Sequence, residues 1–342
     1  MVLRLERPRL RDTAQRNAKG DWDFEAIFNR ELYPAIRALI RALPDDECVF
    51  GNDTRVFNVG GCQPYATVHE ALDAIGSLPA AEAPSSASRV LIQVWPGFYE
   101  STETYEIPSW VGVGGYGPAG KGLVHFQNDV TNLFTVTGDH VFFDNFLVEG
   151  SSTSTLYAFN GNNHSHIHIW NVDMLDNGGV ARQRFLIQEG ATWSVMNLWH
   201  CTVNYQGRDE YCCRITNSGA NARFVDTWIE SCFFDAFQLT NFGGSFDLRG
   251  VQDLRFWNNT IRGTNDPGGA GPFFNTGIRH RLGGVAGTPT IEIDQCRMSG
   301  ALSGLGGSAC FGDLGTTIII DNSLARGAAS LGTLTVNNSR IV

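Results

Sequence analysis

Val141-Phe142-Phe143-Asp144, Ile167-His168-Ile169-Trp170-Asn171, Trp193-Ser194-Val195-Met196-Asn197 and Phe224-Val225-Asp226 state one phrase four times: apolar residues in strand alternation, then Asn or Asp. The phrase returns in Leu254-Arg255-Phe256-Trp257-Asn258, Ile291-Glu292-Ile293-Asp294, Ile318-Ile319-Ile320-Asp321 and Leu334-Thr335-Val336-Asn337. One strand and one turn repeated at a steady interval build a solenoid, in which each repeat buries its apolar face only against its neighbours. A further strand signal precedes each phrase, as in Leu133-Phe134-Thr135-Val136, Leu156-Tyr157-Ala158-Phe159 and Phe246-Asp247-Leu248. Each is expected to pair with its counterpart one coil away, at ~4.8 Å per coil. The expected fold is an all-β solenoid. Its recurrent Asn and Asp are expected to close turns and to stack as hydrogen-bonded ladders rather than to catalyse. The last phrase follows after a short interval, so the rod is expected to narrow at its tip or to end in a partial coil.

The phrase is absent before residue 80, where helix signals appear instead. Phe24, Phe28, Leu32, Ile36, Leu39 and Leu43 recur with the period of one helix face, and Pro34 divides them into short helices at about 23–32 and 34–43. Helices of ~10 residues are marginal alone, so their faces need cover from two further copies of the chain, from a partner protein or from the body of the same chain. In Tyr65 to Gly76, Thr67 and Glu70 form a capping box, Val68, Leu72 and Ile75 an apolar stripe, and Gly76 a stop, which predicts a cap helix at about 66–76. The chain thus divides into an N-terminal arm and helical segment at 1–50 and a solenoid at 51–342.

Charge separates the same two parts. The net charge is −10, yet residues 1–20 carry Arg4, Arg7, Arg9, Arg11, Arg16 and Lys19 against Glu6 and Asp12. A basic arm on an acidic body points to different partners at the two ends. No apolar stretch follows the early charges and none elsewhere approaches a membrane span, so neither a secretory signal nor membrane insertion is expected. The 8 cysteines contain no CxxC pair, which favours reduced, buried thiols in a chain assembled in a cytoplasm. The arm has no aromatic interleaving, so a nucleic-acid partner is not expected, and no cofactor motif is present.

The run Phe57-x-Val59 to Tyr65-x-Thr67-Val68-x-Glu70-Ala71-Leu72, then Ile92-x-Val94-x-Pro96-Gly97-x-Tyr99, then Ile107-Pro108 to Gly114-Gly115, resembles the opening of right-handed parallel β-helix proteins of the pectin lyase-like superfamily. That group includes carbohydrate esterases, polysaccharide lyases and bacteriophage tailspike or tail-fibre proteins, and the resemblance implies a helix plugging the N-terminal end. The esterase branch implies Gly-x-Gln-Asp, Asp-Phe-x-Phe-Gly and Gly-Arg segments, and the lyase branch an Arg-x-Pro-x-x-Arg segment with a carboxylate cluster for calcium. The sequence carries none of them; Phe234-Asp235-Ala236-Phe237-Gln238 approaches the second segment without its Gly.

The candidate site residues follow from chemistry on this scaffold. A glycosidase needs two carboxylates ~5–10 Å apart. Asp226 with Glu230, Asp173 with Asp176, and Asp209 with Glu210 are nearest in sequence, while Asp235 and Asp247 are expected to face a groove from neighbouring coils. Trp170, Trp199, Trp228 and Trp257 offer flat apolar platforms for sugar rings, with an interior stack or a face buried between subunits as the alternative. Counting from Asn197 and Asp226 aligns Trp199 with Trp228. His164, His166 and His168 share one face if the segment is extended, which in a trimer allows a metal ring; no resident metal is expected. Arg4, Arg7, Arg9, Arg11, Phe24, Phe28 and Leu32 are candidates for attachment to a particle.

The layout and the resemblance together lead to one expectation: a trimeric phage or phage-like virion tailspike or tail fibre. It is joined through its N-terminus to a tail or adaptor protein and binds host-surface polysaccharide with its solenoid. A depolymerase on the same scaffold, hydrolase or lyase, and a purely structural spike or cement protein are the alternatives.

Overall fold

The structure is a computed structural model. Its described residues are 54–117, 123–128, 132–150, 156–175, 183–190, 193–204, 211–217, 223–224, 227–235, 244–262, 277–282, 288–299, 310–312, 314–326, 328–330 and 332–341. The basic arm and the two helices expected at 23–32 and 34–43 lie outside them, as does the loop at 264–272.

Three parallel sheets run the length of the described chain. Sheet 1, with 11 strands, begins at Arg55–Val59 and includes Val141–Asp144, Ile167–Trp170, Met196–Trp199, Thr227–Glu230, Leu254–Trp257 and Thr290–Asp294. Sheet 2 has 9 strands, among them Leu156–Asn160, Cys213–Asn217, Phe246–Arg249 and Ile278–Arg281; sheet 3 has 10, among them Asp173–Leu175, Phe233–Asp235 and Thr260–Arg262. Successive strands of each sheet come from successive coils, all in parallel. This is the solenoid that the phrase predicts, in the right-handed parallel β-helix form that the resemblance implies.

Alternation divides each strand between the two faces of its sheet. In sheet 1, Ile167, Ile169, Met196, Leu198, Ile229, Leu254, Phe256, Ile291 and Ile293 point inward and are buried. Aromatic rings thicken the core at mid-height: Phe159 lies 4.8 Å from Phe143, 5.3 Å from Phe185 and 5.5 Å from Phe134, centroid to centroid. The helix α1, Val68–Gly76, closes one end with Val68, Ala71 and Ile75 buried. Its Thr67 hydroxyl accepts from the Glu70 N–H at 3.2 Å, and the Glu70 carboxylate accepts from the Ala66 N–H at 2.7 Å.

The turns from sheet 1 to sheet 3 set the register. From the coil of Val141 onward every one contains a left-handed residue: Asn145, Asn171, His200, Ser231, Asn258, Gln295, Asn322 and Asn338, with φ between 44° and 64°. Asn tolerates this conformation best among residues with a side chain, and its amide then reaches the neighbouring coil. Asn171 donates to Asn145 at 2.9 Å, Asn258 to Ser231 at 3.1 Å, and Asn322 to Asp294 at 3.0 Å.

From Cys201 onward the residue after the left-handed position is small and polar, and on the following coils its side chain accepts from the backbone of the coil before. The backbone N–H of Cys201 donates to the Cys232 thiol, that of Cys232 to the Asn259 amide oxygen, that of Asn259 to the Cys296 thiol, that of Cys296 to the Ser323 hydroxyl, and that of Ser323 to the Ser339 hydroxyl. A buried corner has no water to satisfy those donors, so a small polar side chain at each step replaces it. The thiols here are reduced, and burial pushes the Cys296 thiol up to about 11.

Two phrases correct the expected register. The sheet-1 strand at the third phrase is Met196–Trp199 with His200 in the turn, so Asn197 is mid-strand; at the fourth phrase it is Thr227–Glu230 with Ser231 in the turn. Alternation continues through both stretches, and His200 and Ser231 give no Asn or Asp to mark the corner. Of the two outcomes expected at the final interval, the partial coil is not found. Leu324–Arg326, Ala328–Ser330 and Thr333–Asn337 contribute one strand to each sheet, so a full three-strand coil fits there with shortened turns.

Candidate functional site

The corrected register places all four tryptophans on the outer face of sheet 1. Trp170 lies opposite Trp199, Trp199 opposite Glu230, Glu230 opposite Trp257, and Trp257 opposite Asp294. One outward column therefore reads Trp170, Trp199, Glu230, Trp257, Asp294 across five consecutive coils. The second outward column reads His168, Asn197, Trp228, Arg255, Glu292. Trp199 and Trp228 thus occupy different columns, and the expected alignment of the two is replaced by this pairing.

The face is built by alternation: the residues between these positions are the buried aliphatics of the core. Trp170 and Trp199 meet edge to face at 5.8 Å, and Phe142 meets Trp170 edge to face at 4.8 Å. Trp257 is 44% exposed. The Trp228 backbone N–H donates to the Asn197 amide oxygen at 3.2 Å, and the Asn197 amide nitrogen lies 3.3 Å from His168 Nδ1. Arg255 and Glu292 pair at 3.1 Å on adjacent coils. Partial burial holds the Glu230 carboxyl above the usual carboxylate range.

The remaining carboxylates disperse. Asp235 is on sheet 3 and pairs with Arg262 at 3.2 Å, whereas Asp247 is on sheet 2, so the two do not share a groove. Asp173 accepts from the Thr202 N–H at 3.1 Å and serves a turn. Asp226, Asp176, Asp209 and Glu210 lie outside the described residues, as do Arg4, Arg7, Arg9, Arg11, Phe24, Phe28 and Leu32.

The histidines do not share an extended face. His164 sits in a turn 3.4 Å from the Asp139 carboxylate, His166 is left-handed with φ 58°, and His168 alone of the three lies on a strand. His166 instead stacks on His140 at 4.1 Å, and His140 on Trp110 at 3.8 Å, one ring per coil at the corner leading into sheet 1. Burial lowers His140 and His168 to about 4. Among the described residues no group of three or more His, Cys, Asp or Glu is arranged to hold a metal ion.

One cluster escaped sequence reasoning. On the outer face of sheet 2, Asp247 is 3% exposed and accepts from Arg249 Nε at 3.0 Å, while Arg281 Nε lies 2.9 Å from its other oxygen. Arg214 and Arg279 flank Asp247 on the coils before and after. The shared alternation of Cys213-Arg214-Ile215-Thr216, Phe246-Asp247-Leu248-Arg249 and Ile278-Arg279-His280-Arg281 was the available signal.

No family model matches the sequence, and no curated protein does. Among solved structures the chain is similar to the deglycosylated pectin methylesterase from Aspergillus niger, at 14% identity and TM-score 0.49, covering 78% of this chain and 84% of that one. It is similar to a rhamnogalacturonan lyase at 11% identity and TM-score 0.44, covering 79% and 74%, and to ORF18 of Geobacillus virus E2 at 13% and 0.42, covering 79% and 56%. At such identities the likeness concerns the fold alone. No helix among the described residues is long and apolar enough to cross a membrane.

Proposed function

We propose that the chain is a trimeric spike or fibre of a phage or phage-like particle, joined to it through residues 1–50, and that it binds host-surface glycan along the outer face of sheet 1. The observation that carries the glycan reading is the column Trp170, Trp199, Glu230, Trp257, with Trp228 and Arg255 beside it. The exposed ring surface on this face, above all that of Trp257, offers sugar faces an apolar platform, and Arg255 and Glu292 offer hydroxyl partners. The basic arm on an acidic body supports attachment at one end and ligand at the other.

The exposed part of Trp257 sets the scale. With 44% exposure of a side chain of roughly 250 Å², stacking removes about 110 Å² from water, which at ~25 cal/mol per Å² is at most about 2.7 kcal/mol. Trp257→Ala is therefore expected to weaken binding by ten- to a hundredfold with an unchanged fold. The test is light scattering for the trimer together with a binding screen of host capsule and lipopolysaccharide against this variant. A monomer with no affinity for any of them refutes the proposal, and a trimer with none leaves the purely structural spike.

Glu230 and Asp294 favour a second reading, a depolymerase. They stand two coils apart in one column, ~10 Å along the backbone, with Trp257 between them. Partial burial raises the Glu230 carboxyl toward its protonated form, as a general acid requires, and the Asp294 carboxylate accepts from the Asn322 amide at 3.0 Å. Release of oligosaccharide, abolished by Glu230→Gln, decides for it; binding without release decides against.

A further inference from the structure

The outer face of sheet 2 presents a grid of two columns over three coils. Arg214, Asp247 and Arg279 form one column; Thr216, Arg249 and Arg281 form the other. Four guanidinium groups thus surround one carboxylate. Both Asp247 oxygens are engaged, by Arg249 on one side and Arg281 on the other. Arg214 Nε and Thr216 Oγ1, neighbours on Cys213–Asn217, are out of reach of solvent and have no hydrogen-bond partner among the described residues. Glu189, opposite Thr216 on the preceding coil, is the next acidic position.

Withdrawing a guanidinium from water costs free energy that an opposite charge must offset, and the Asp247 carboxylate, already shared by Arg249 and Arg281, does not also offset Arg214. Burial and the neighbouring Arg279 and Arg249 act to lower Arg281, with Asp247 opposing them. Guanidinium forks fit planar and tetrahedral oxyanions in bidentate fashion, and a Thr hydroxyl adds one donor.

We propose that this face binds an anionic ligand group, a carboxylate or a sulfate, between Arg214, Thr216 and the Asp247-centred pair Arg249 and Arg281. With the glycan reading above, on which this clause alone rests, the ligand is an acidic polysaccharide. Asp247 fixes the orientation of Arg249 and Arg281, and Arg214 supplies the charge that lacks a partner within the described chain.

The test uses the full chain and measures its thermal midpoint at constant ionic strength with sodium sulfate, glucuronate or glucose. Sulfate and glucuronate are expected to raise the midpoint saturably and glucose to leave it unchanged. A response to glucuronate assigns a uronate source, and a response to sulfate alone assigns a sulfate ester. Arg214→Gln is expected to weaken the response at least tenfold. Arg214→Met is expected to abolish it while raising the midpoint of the unliganded protein, because a charge without a partner is removed. Trp257→Ala leaves the response intact, which separates this site from the sheet-1 face. No saturable response to either anion, or an undiminished one in Arg214→Gln, overturns the proposal.

Discussion

Replacing Asn259 by Ala tests the inward ladder at its most connected step. The Asn259 side chain is 2% exposed; its oxygen accepts from the Cys232 N–H at 2.8 Å, and its amide donates to the Ile229 carbonyl at 2.6 Å. Alanine removes both bonds, at about 1 kcal/mol each, and leaves the Cys232 N–H facing a dry corner, at about 1–3 kcal/mol more. The expected loss is roughly 3–5 kcal/mol in urea unfolding. Asn259→Ser keeps an acceptor, as Ser323 does for Cys296 at 3.0 Å, and is expected to lose about half as much. Amide hydrogen exchange reads the same event locally, since Cys232 loses protection in the alanine variant and retains most of it in the serine variant. Equal stability of the two variants, or an unchanged exchange rate at Cys232, would show that the ladder does not hold the coils as argued.

Phe159→Ala opens a cavity among Phe134, Phe143 and Phe185, and is expected to cost about 3–5 kcal/mol by the same denaturation assay, with Phe159→Leu clearly milder. His280 is fully buried, its Nε2 lies 3.1 Å from the Val251 carbonyl, and burial lowers it to about 4. Below pH 6.5 the unfolded chain takes up a proton at His280 that the folded chain refuses, so stability falls from pH 6.5 to about 4, by on the order of 3 kcal/mol from this group. His280→Gln is expected to flatten that part of the pH profile of the thermal midpoint; an unaltered slope contradicts a buried neutral imidazole.

The fold was legible because alternation and turn chemistry act locally: Val141 to Asp144 reads as a strand before any partner strand is known. The cap helix was legible for the same reason, through Thr67 and Glu70. The register was less so. At His200 and Ser231 the left-handed conformation is imposed by the coils on either side rather than by a residue that prefers it, and no local signal marks those corners. That shift carried over to the candidate site. All four tryptophans were visible as candidates, but which of them share a column depends on pairings made 27 to 37 residues apart, for example Glu230 with Trp257 and Trp257 with Asp294. The arginine face was hidden altogether, since Arg214, Arg249 and Arg281 become neighbours only when three coils are stacked in the right order.

The uniform corner between sheets 1 and 3 has a consequence for how such a chain can diversify. That corner is two residues long at 145–146, 171–172, 200–201, 231–232, 258–259, 295–296, 322–323 and 338–339, whereas the passage from sheet 3 to sheet 2 ranges from one residue, at 327, to the stretch 263–277. The invariant corner fixes the pitch, so the variable one can gain or lose residues without displacing any strand from its partner. Descendants of one ancestral rod can therefore exchange whole loops beside sheet 2 while inheriting an unaltered scaffold, and a designer can graft at the same seam.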